Sequence, residues 1–180
     1  GAGLHGICDR RVRRHLVRMA LSPTLKSGRL YCAEPLFIGG VMKQAISEEL
    51  KRIFNRAPFI ADLGIQLDSL GHGKCTTVLL LQPRHLQQDG YVHAGVQATM
   101  ADHTAGAAAA TLLQVGQIVL TAEFKINLLR AAQGDRLICR SKVLKPGKQL
   151  TVVESEIFCA ASETEKLVSK ATVTIAIVTL

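Results

Sequence analysis

From Val119 onward the chain alternates, with Leu120, Ala122, Phe124, Ile126 and Leu128 set against Thr121, Glu123, Lys125, Asn127 and Leu129. A period of two belongs to a long half-buried strand. Gln133-Gly134-Asp135 predicts a turn and Arg136 to Leu144 a second strand. Lys145-Pro146-Gly147-Lys148 predicts another turn, followed by strands over Leu150 to Ala160 and Lys166 to Thr179. Connections this short predict an antiparallel meander. Upstream the period changes. Val96 to Leu113 is an apolar, small-residue run suited to a helix, and MKQAISEELKRIFNRA carries Ala45, Ile46, Leu50 and Ile53 at helical spacing. Pro58 ends that first helix or follows its end. Phe59 to Leu70 predicts a short strand, Gly71-His72-Gly73 a turn, and Lys74 to Gln82 a strand centred on the apolar block Val78 to Leu81. Helix, one or two strands, a long helix and four strands make an α+β fold, with the long helix packed against a curved antiparallel sheet.

Length and composition narrow this little. A chain of 180 residues with 48% hydrophobic content makes one domain with a real core. Aromatics at 4%, with no Trp, make that core aliphatic and leave few rings on which bases could stack. The net charge of +8 suggests nucleic acid until it is divided. Residues 1–41 hold seven Lys/Arg against two acids (+5), and residues 42–180 hold fifteen against twelve (+3). The excess therefore sits in a basic N-terminal extension, 1–41, with the patch RRVRRHLVR. Three origins compete for it: an expression or read-through extension, which is favoured; an arginine-rich targeting peptide; or a basic arm for nucleic acid or membrane. Met42 is the expected native start of a domain spanning 42–180. Cys8, Cys32, Cys75, Cys139 and Cys159 show no zinc spacing, which suits reduced core thiols in a cytoplasmic protein. Val96 to Leu113 approaches a membrane span in length, but Asp102-His103 at its middle and the strands that follow argue against one.

Asp102 is the chemical anomaly. Gly95, Ala98, Thr99, Asp102, Ala105, Gly106 and Ala109 share one helical face, and Asp102 is its only charge. Burying an unpaired carboxylate costs several kcal/mol, so such a residue is either used or neutralised by donors. The small neighbours let the helix approach a sheet or leave room for a slender ligand. Before the helix lies the polar loop Gln87, Gln88, Asp89, Gly90 and His93. Unpaired amides at the helix start, near Ala94 and Gly95, can bind a developing oxyanion. A metal site from His93, Asp102 and His103 is disfavoured, because adjacent helical residues point about 100° apart.

His93-Ala94-Gly95 followed by Asp102 in MADHTAG resembles the HGG and downstream Asp of hotdog-fold acyl-CoA thioesterases of the phenylacetate-pathway, PaaI-like type. The segment EFKINLLRAAQGDRLICRSKVLKPGKQLTVVESEIF resembles the family's long strand and following hairpins, and the likeness covers about residues 45–180. The resemblance implies a hotdog fold and hydrolysis of acyl-CoA thioesters without metal or organic cofactor. It implies Asp102 as general base or nucleophile, the Ala94 amide, helped by Gly95, as oxyanion donor, and His93 as the group that orients the loop. Gln87 stands where the family often has Asn, with Gln88 the alternative if the loop shifts by one. Thr121 supplies a strand hydroxyl facing the site. Gln88, Asn127, Arg130, Lys145 and Lys148 are the candidates for substrate contact, the three basic residues for the CoA phosphates. The partners implied are acyl-CoA and further copies of the chain, as a dimer or tetramer whose helices run side by side, with neither nucleic acid nor membrane. Ala94 for the first Gly of HGG and Gln for Asn bear on substrate choice. They also keep open a hotdog protein that binds acyl-CoA without turning it over.

Overall fold

The computed structural model describes Glu48 and residues 51–180. Six strands form one antiparallel sheet: β1 (Gln66–Gly71), β2 (Lys74–Leu80), β3 (Gln117–Leu128), β4 (Arg136–Lys145), β5 (Leu150–Ala161) and β6 (Thr164–Thr179). A short helix, α1 (Pro58–Leu63), precedes the sheet, and the long helix α2 (Ala94–Ala110) lies against β2 through β6. This is the expected α+β arrangement. The basic extension 1–41, Cys8, Cys32, Ala45, Ile46 and Leu50 lie outside the described residues. No helix among the described residues is long and apolar enough to cross a membrane.

The strand order is β1-β2-β4-β5-β6-β3, so the expected four-strand meander holds only for β4-β5-β6. β3 does not pair with β4. The connection between them, residues 129–135, is long enough to cross the three strand spacings of about 4.8 Å that separate them. It is tied down as it goes: Leu129 N–H donates to Val168 O, Val92 N–H to Ala132 O and Leu81 N–H to Asp135 O. β3 thereby joins β6 at the sheet edge.

Three further expectations change. Pro58 does more than stop a helix: it occupies the first turn of α1, where its fixed φ suits a start and its missing N–H costs nothing. The strand sought in Phe59 to Leu70 therefore begins only at Gln66. In the preceding turn Ile53 is 54% exposed, and it is Phe54, at 5%, that packs inward. The alternation of β3 is interrupted by a bulge between Thr121 and Glu123, which switches the face that each parity presents. Val119, Thr121, Phe124 and Ile126 pair with Ile177, Ile175, Val173 and Ala171 and share their face. Leu120 falls on the other side, and Leu120, Phe124 and Leu128 are all substantially exposed.

The core lies between α2 and the sheet, around Met100, Leu137, Val153, Ile157, Val173 and Ile175, all fully buried. Burial of each such side chain stabilises the fold by about 1.5–3 kcal/mol. Two hydroxyl relays set α2 on this surface. Thr104 Oγ1 donates to Met100 O at 2.6 Å, so in the 2.7 Å contact between Thr77 and Thr104 the Thr77 hydroxyl is the donor, each hydroxyl having one proton. Ser155 Oγ donates to Ala101 O at 2.9 Å and receives the Ser141 hydroxyl at 2.7 Å. Both relays end on carbonyls immediately before Asp102. Cys75, Cys139 and Cys159 are buried free thiols; burial pushes Cys75 up to about 12 and Cys139 up to about 11.

Candidate active site

The start of α2 is built by His93. Its backbone is extended (φ −59°, ψ 136°), and its Nδ1 accepts the Gly95 N–H at 2.9 Å, the service that Ser, Thr or Asp usually performs at this position. A Cβ at position 95 would lie 3.0 Å from that nitrogen, so glycine lets the ring close over the helix end. The Val96 and Gln97 N–H groups donate to His93 O. The Gly95 amide is thus satisfied within the loop, whereas the exposed Ala94 N–H has no such partner in the cap. Of the two amides named from the sequence, Gly95 is thus the one engaged by the cap.

The loop that carries His93 rests on His85, a residue the sequence reading passed over. His85 is fully buried. Its Nδ1 accepts the Gln82 N–H at 3.0 Å and its Nε2 lies 2.8 Å from Leu63 O. A ring whose Nδ1 accepts carries its proton on Nε2, which donates to that carbonyl. The signal available beforehand was the three-residue spacing from Gln82 to His85, which makes a reciprocal cap. The Gln87 side-chain oxygen accepts the Asp89 N–H at 2.9 Å, shaping the loop. Gln88 is exposed and donates to Asp89 Oδ2 at 3.2 Å.

Asp102 stands on the side of α2 that turns towards β3. It is half-buried, and Thr121 Oγ1 donates to its Oδ1 at 2.7 Å. The pair borders a cavity of about 270 Å³ whose other walls include Ile53, Phe54, Leu70, Val119 and Ile175. On α2 the cavity is lined by Asp102, His103, Gly106, Ala107 and Ala110, whereas Ala105 and Ala109 of the small-residue face are buried with Met100, Ala101, Thr104 and Ala108. His103 also lines the cavity, its ring centroid 4.5 Å from that of Phe54 at a tilt of 57°. Burial lowers the His103 pKa from its usual 6.5, with Asp102 pulling the other way. The sequence reading considered His103 only as a metal ligand. No group of three potential metal ligands occurs among the described residues.

The predicted residues thus fall into separate groups. Asp102 and Thr121 meet directly. His93, Ala94, Gly95 and Gln87 gather at the helix start, eight residues from Asp102, which is about 12 Å along the axis. Asn127 pairs with Lys170, on the outer face with Glu154 and Glu156, which Lys170 bridges, and away from the cavity. Arg130 donates to Leu167 O at 2.8 Å near the start of β6. Lys145 and Lys148 are exposed at the β4–β5 turn, the opposite end of a ten-residue strand about 30 Å long. Arg130 and the Lys145/Lys148 pair thus stand at opposite ends of the sheet.

Comparison with known proteins places these features in a wider set. Residues 89–166 match the model of the thioesterase superfamily. The chain is 31% identical over 115 residues, 64% of its length and 91% of the relative's, to a 1,4-dihydroxy-2-naphthoyl-CoA hydrolase of Listeria monocytogenes. Its fold is similar to that of a thioesterase family protein from Silicibacter pomeroyi, with TM-score 0.73 and 32% identity over 75% of this chain and 99% of the other. The PaaI protein of E. coli, from the phenylacetic acid degradation operon, shares the fold at TM-score 0.66 and 19% identity, covering 76% and 94% of the two chains.

Proposed function

Because this chain belongs to the thioesterase superfamily and is a thioester hydrolase, we propose that it cleaves acyl-CoA thioesters to free acid and CoA, with Asp102 driving attack on the carbonyl. The observation that carries this reading is the Asp102–Thr121 pair at the edge of an otherwise largely apolar cavity. Thr121 fixes Oδ1, and Oδ2 acts on the substrate, either by taking a proton from water or by attacking the carbonyl itself. Single-turnover hydrolysis in ¹⁸O-water separates the two routes, since only the second places label in Asp102.

The tetrahedral oxyanion needs a donor at about 3 Å, and the Ala94 N–H stands about 12 Å along the helix from Asp102. The reading therefore completes each site from two copies of the chain, with Ala94 of one facing Asp102 of the other. β3 supports this arrangement, because it is an edge strand with Leu120, Phe124 and Leu128 exposed along it, an edge suited to pairing with a second copy. In such an assembly His93 holds the amide in place and Gln87 shapes the loop behind it. The buried free thiols suit a reducing compartment such as the cytoplasm.

The test is thiol release from short, long, branched and aryl acyl-CoAs, run beside Asp102→Asn. Turnover is expected to fall by at least about two orders of magnitude, while binding of a non-hydrolysable acyl-CoA analogue persists. Wild-type turnover in the variant would remove Asp102 from the reaction.

A further inference from the structure

Of the twelve residues around the cavity beside Asp102, three are polar: Asp102, His103 and Thr121. Asp102 and Thr121 are engaged with each other. His103 is the polar wall residue left over, and its Nε2 is buried with no hydrogen-bond partner. A buried polar atom without a partner is uncommon in folded proteins and calls for a physical reason. Packing is not that reason, because Phe54 meets the ring at a tilt of 57° and offers no acceptor, and a phenyl or leucine side chain would fill the same volume without the orphaned nitrogen.

We propose that His103 is a specificity residue of the acyl pocket, whose imidazole hydrogen-bonds an oxygen carried by the acyl group away from the thioester carbonyl, so that oxygen-bearing acyl groups are preferred over hydrocarbon ones of the same shape. The inference rests on the thioesterase reading of the site and names the kind of acyl group it takes. The surrounding wall of Phe54, Leu70, Val119 and Ile175 provides the apolar contact that any acyl group needs but cannot tell a C–H from an O–H. Discrimination of that kind comes from a buried polar group that is satisfied by one ligand and stranded by the other. The ring torsion of histidine is broad, so a modest rotation carries Nε2 from beneath the cavity wall to its surface. Burial favours the neutral ring, which has one N–H and one lone pair and meets a hydroxyl in either sense.

The experiment titrates the full chain calorimetrically with S-alkyl CoA thioethers bearing a plain phenyl group or a phenol with its hydroxyl at each of the three ring positions. At least one phenol analogue is expected to bind about tenfold more tightly than the phenyl one, the effect of one buried hydrogen bond. In His103→Phe the ratio of phenol to phenyl affinity should shrink to within about twofold. His103→Leu gives the same reading should the Phe variant not fold. Equal affinities in the wild type, or an advantage that survives in the variants, would overturn the proposal. The corresponding thioesters, followed by thiol release, keep the two readings apart: binding with the predicted selectivity but no cleavage would sink the hydrolase mechanism and leave the role of His103 standing.

Discussion

Thr121 is a small residue with a disproportionate task, since its hydroxyl alone fixes the Asp102 carboxylate from the facing strand. Loss of that orientation misplaces the carboxylate against the reacting carbonyl, so Thr121→Val is expected to lower kcat/KM at least about tenfold, with Thr121→Ser largely restoring it. The unfolding midpoint should hardly move, because residue 121 is exposed; a midpoint that falls together with activity would make Thr121 a stability residue. His103 makes the complementary prediction for pH. Its pKa is lowered by burial, against Asp102 beside it, with Phe54 and the Thr121 side of β3 as its other surroundings. The folded chain then binds fewer protons here than the unfolded one, so stability is complete above pH 6.5 and falls as pH drops below it towards the folded-state value. Between pH 7.5 and 5 the wild type should lose more of its urea midpoint than His103→Gln; equal losses would place the pH sensitivity elsewhere. Asp102 stood out by residue type and spacing, whereas Thr121 and the loop role of His93 came from the family resemblance, and the His93 cap was not foreseen. Nor were His85, Phe54 and the orphaned nitrogen of His103, because each depends on contacts made by distant segments of the chain.

Between elements, the seating of α2 on the sheet decides where the carboxylate stands. The Ser141–Ser155 relay ends on Ala101 O in a buried interface, and Ser155→Ala leaves that carbonyl with its helical bond alone and the Ser141 hydroxyl with only Cys139 Sγ, at 3.8 Å, in reach. Its expected cost is about 1–3 kcal/mol, measured by urea unfolding. A value near zero would mean that the interface re-pairs its polar groups without strain. Most strand limits were legible because alternation and turn residues are local signals: β4, β5 and the turn at residues 71–73 fall within a residue or so of their expected places. The position of β3 was not. Alternation reports that a strand is half-buried, not which neighbour it takes, and a single inserted residue at the Thr121/Glu123 bulge reverses the inward parity that a strict period of two assigns. That same bulge is what lets Thr121 and Phe124, of opposite parity, face the same side. Pro58 does follow the end of the first helix, as expected, and it also opens the next one, since proline is equally at home after one helix and in the first turn of another.

At the scale of the whole molecule, the proposed completion of each site by Ala94 of one chain and Asp102 of another has its own test. Asp102→Ala removes the carboxylate, and Gly95→Val drives a branched side chain into the His93 ring that a Cβ already meets at 3.0 Å. Each variant alone should be inactive. When they are mixed in equal amounts and allowed to exchange, half of the dimers are mixed and one site in each is intact, so activity should return towards a quarter of the wild-type level. A mixture that stays inactive after verified exchange would place both groups of the site in one chain. The thiols buried in the core acquire a meaning in the same frame. A protein that holds activated acyl groups risks self-acylation, because thioesters pass readily to any thiolate within reach, and thiolate rather than thiol is the nucleophile. With Cys139 held at about 11, only about one such group in ten thousand is ionised at pH 7, and Cys75, at about 12, is ionised still less. Neither of these two core thiols competes with the hydrolytic route for the acyl group.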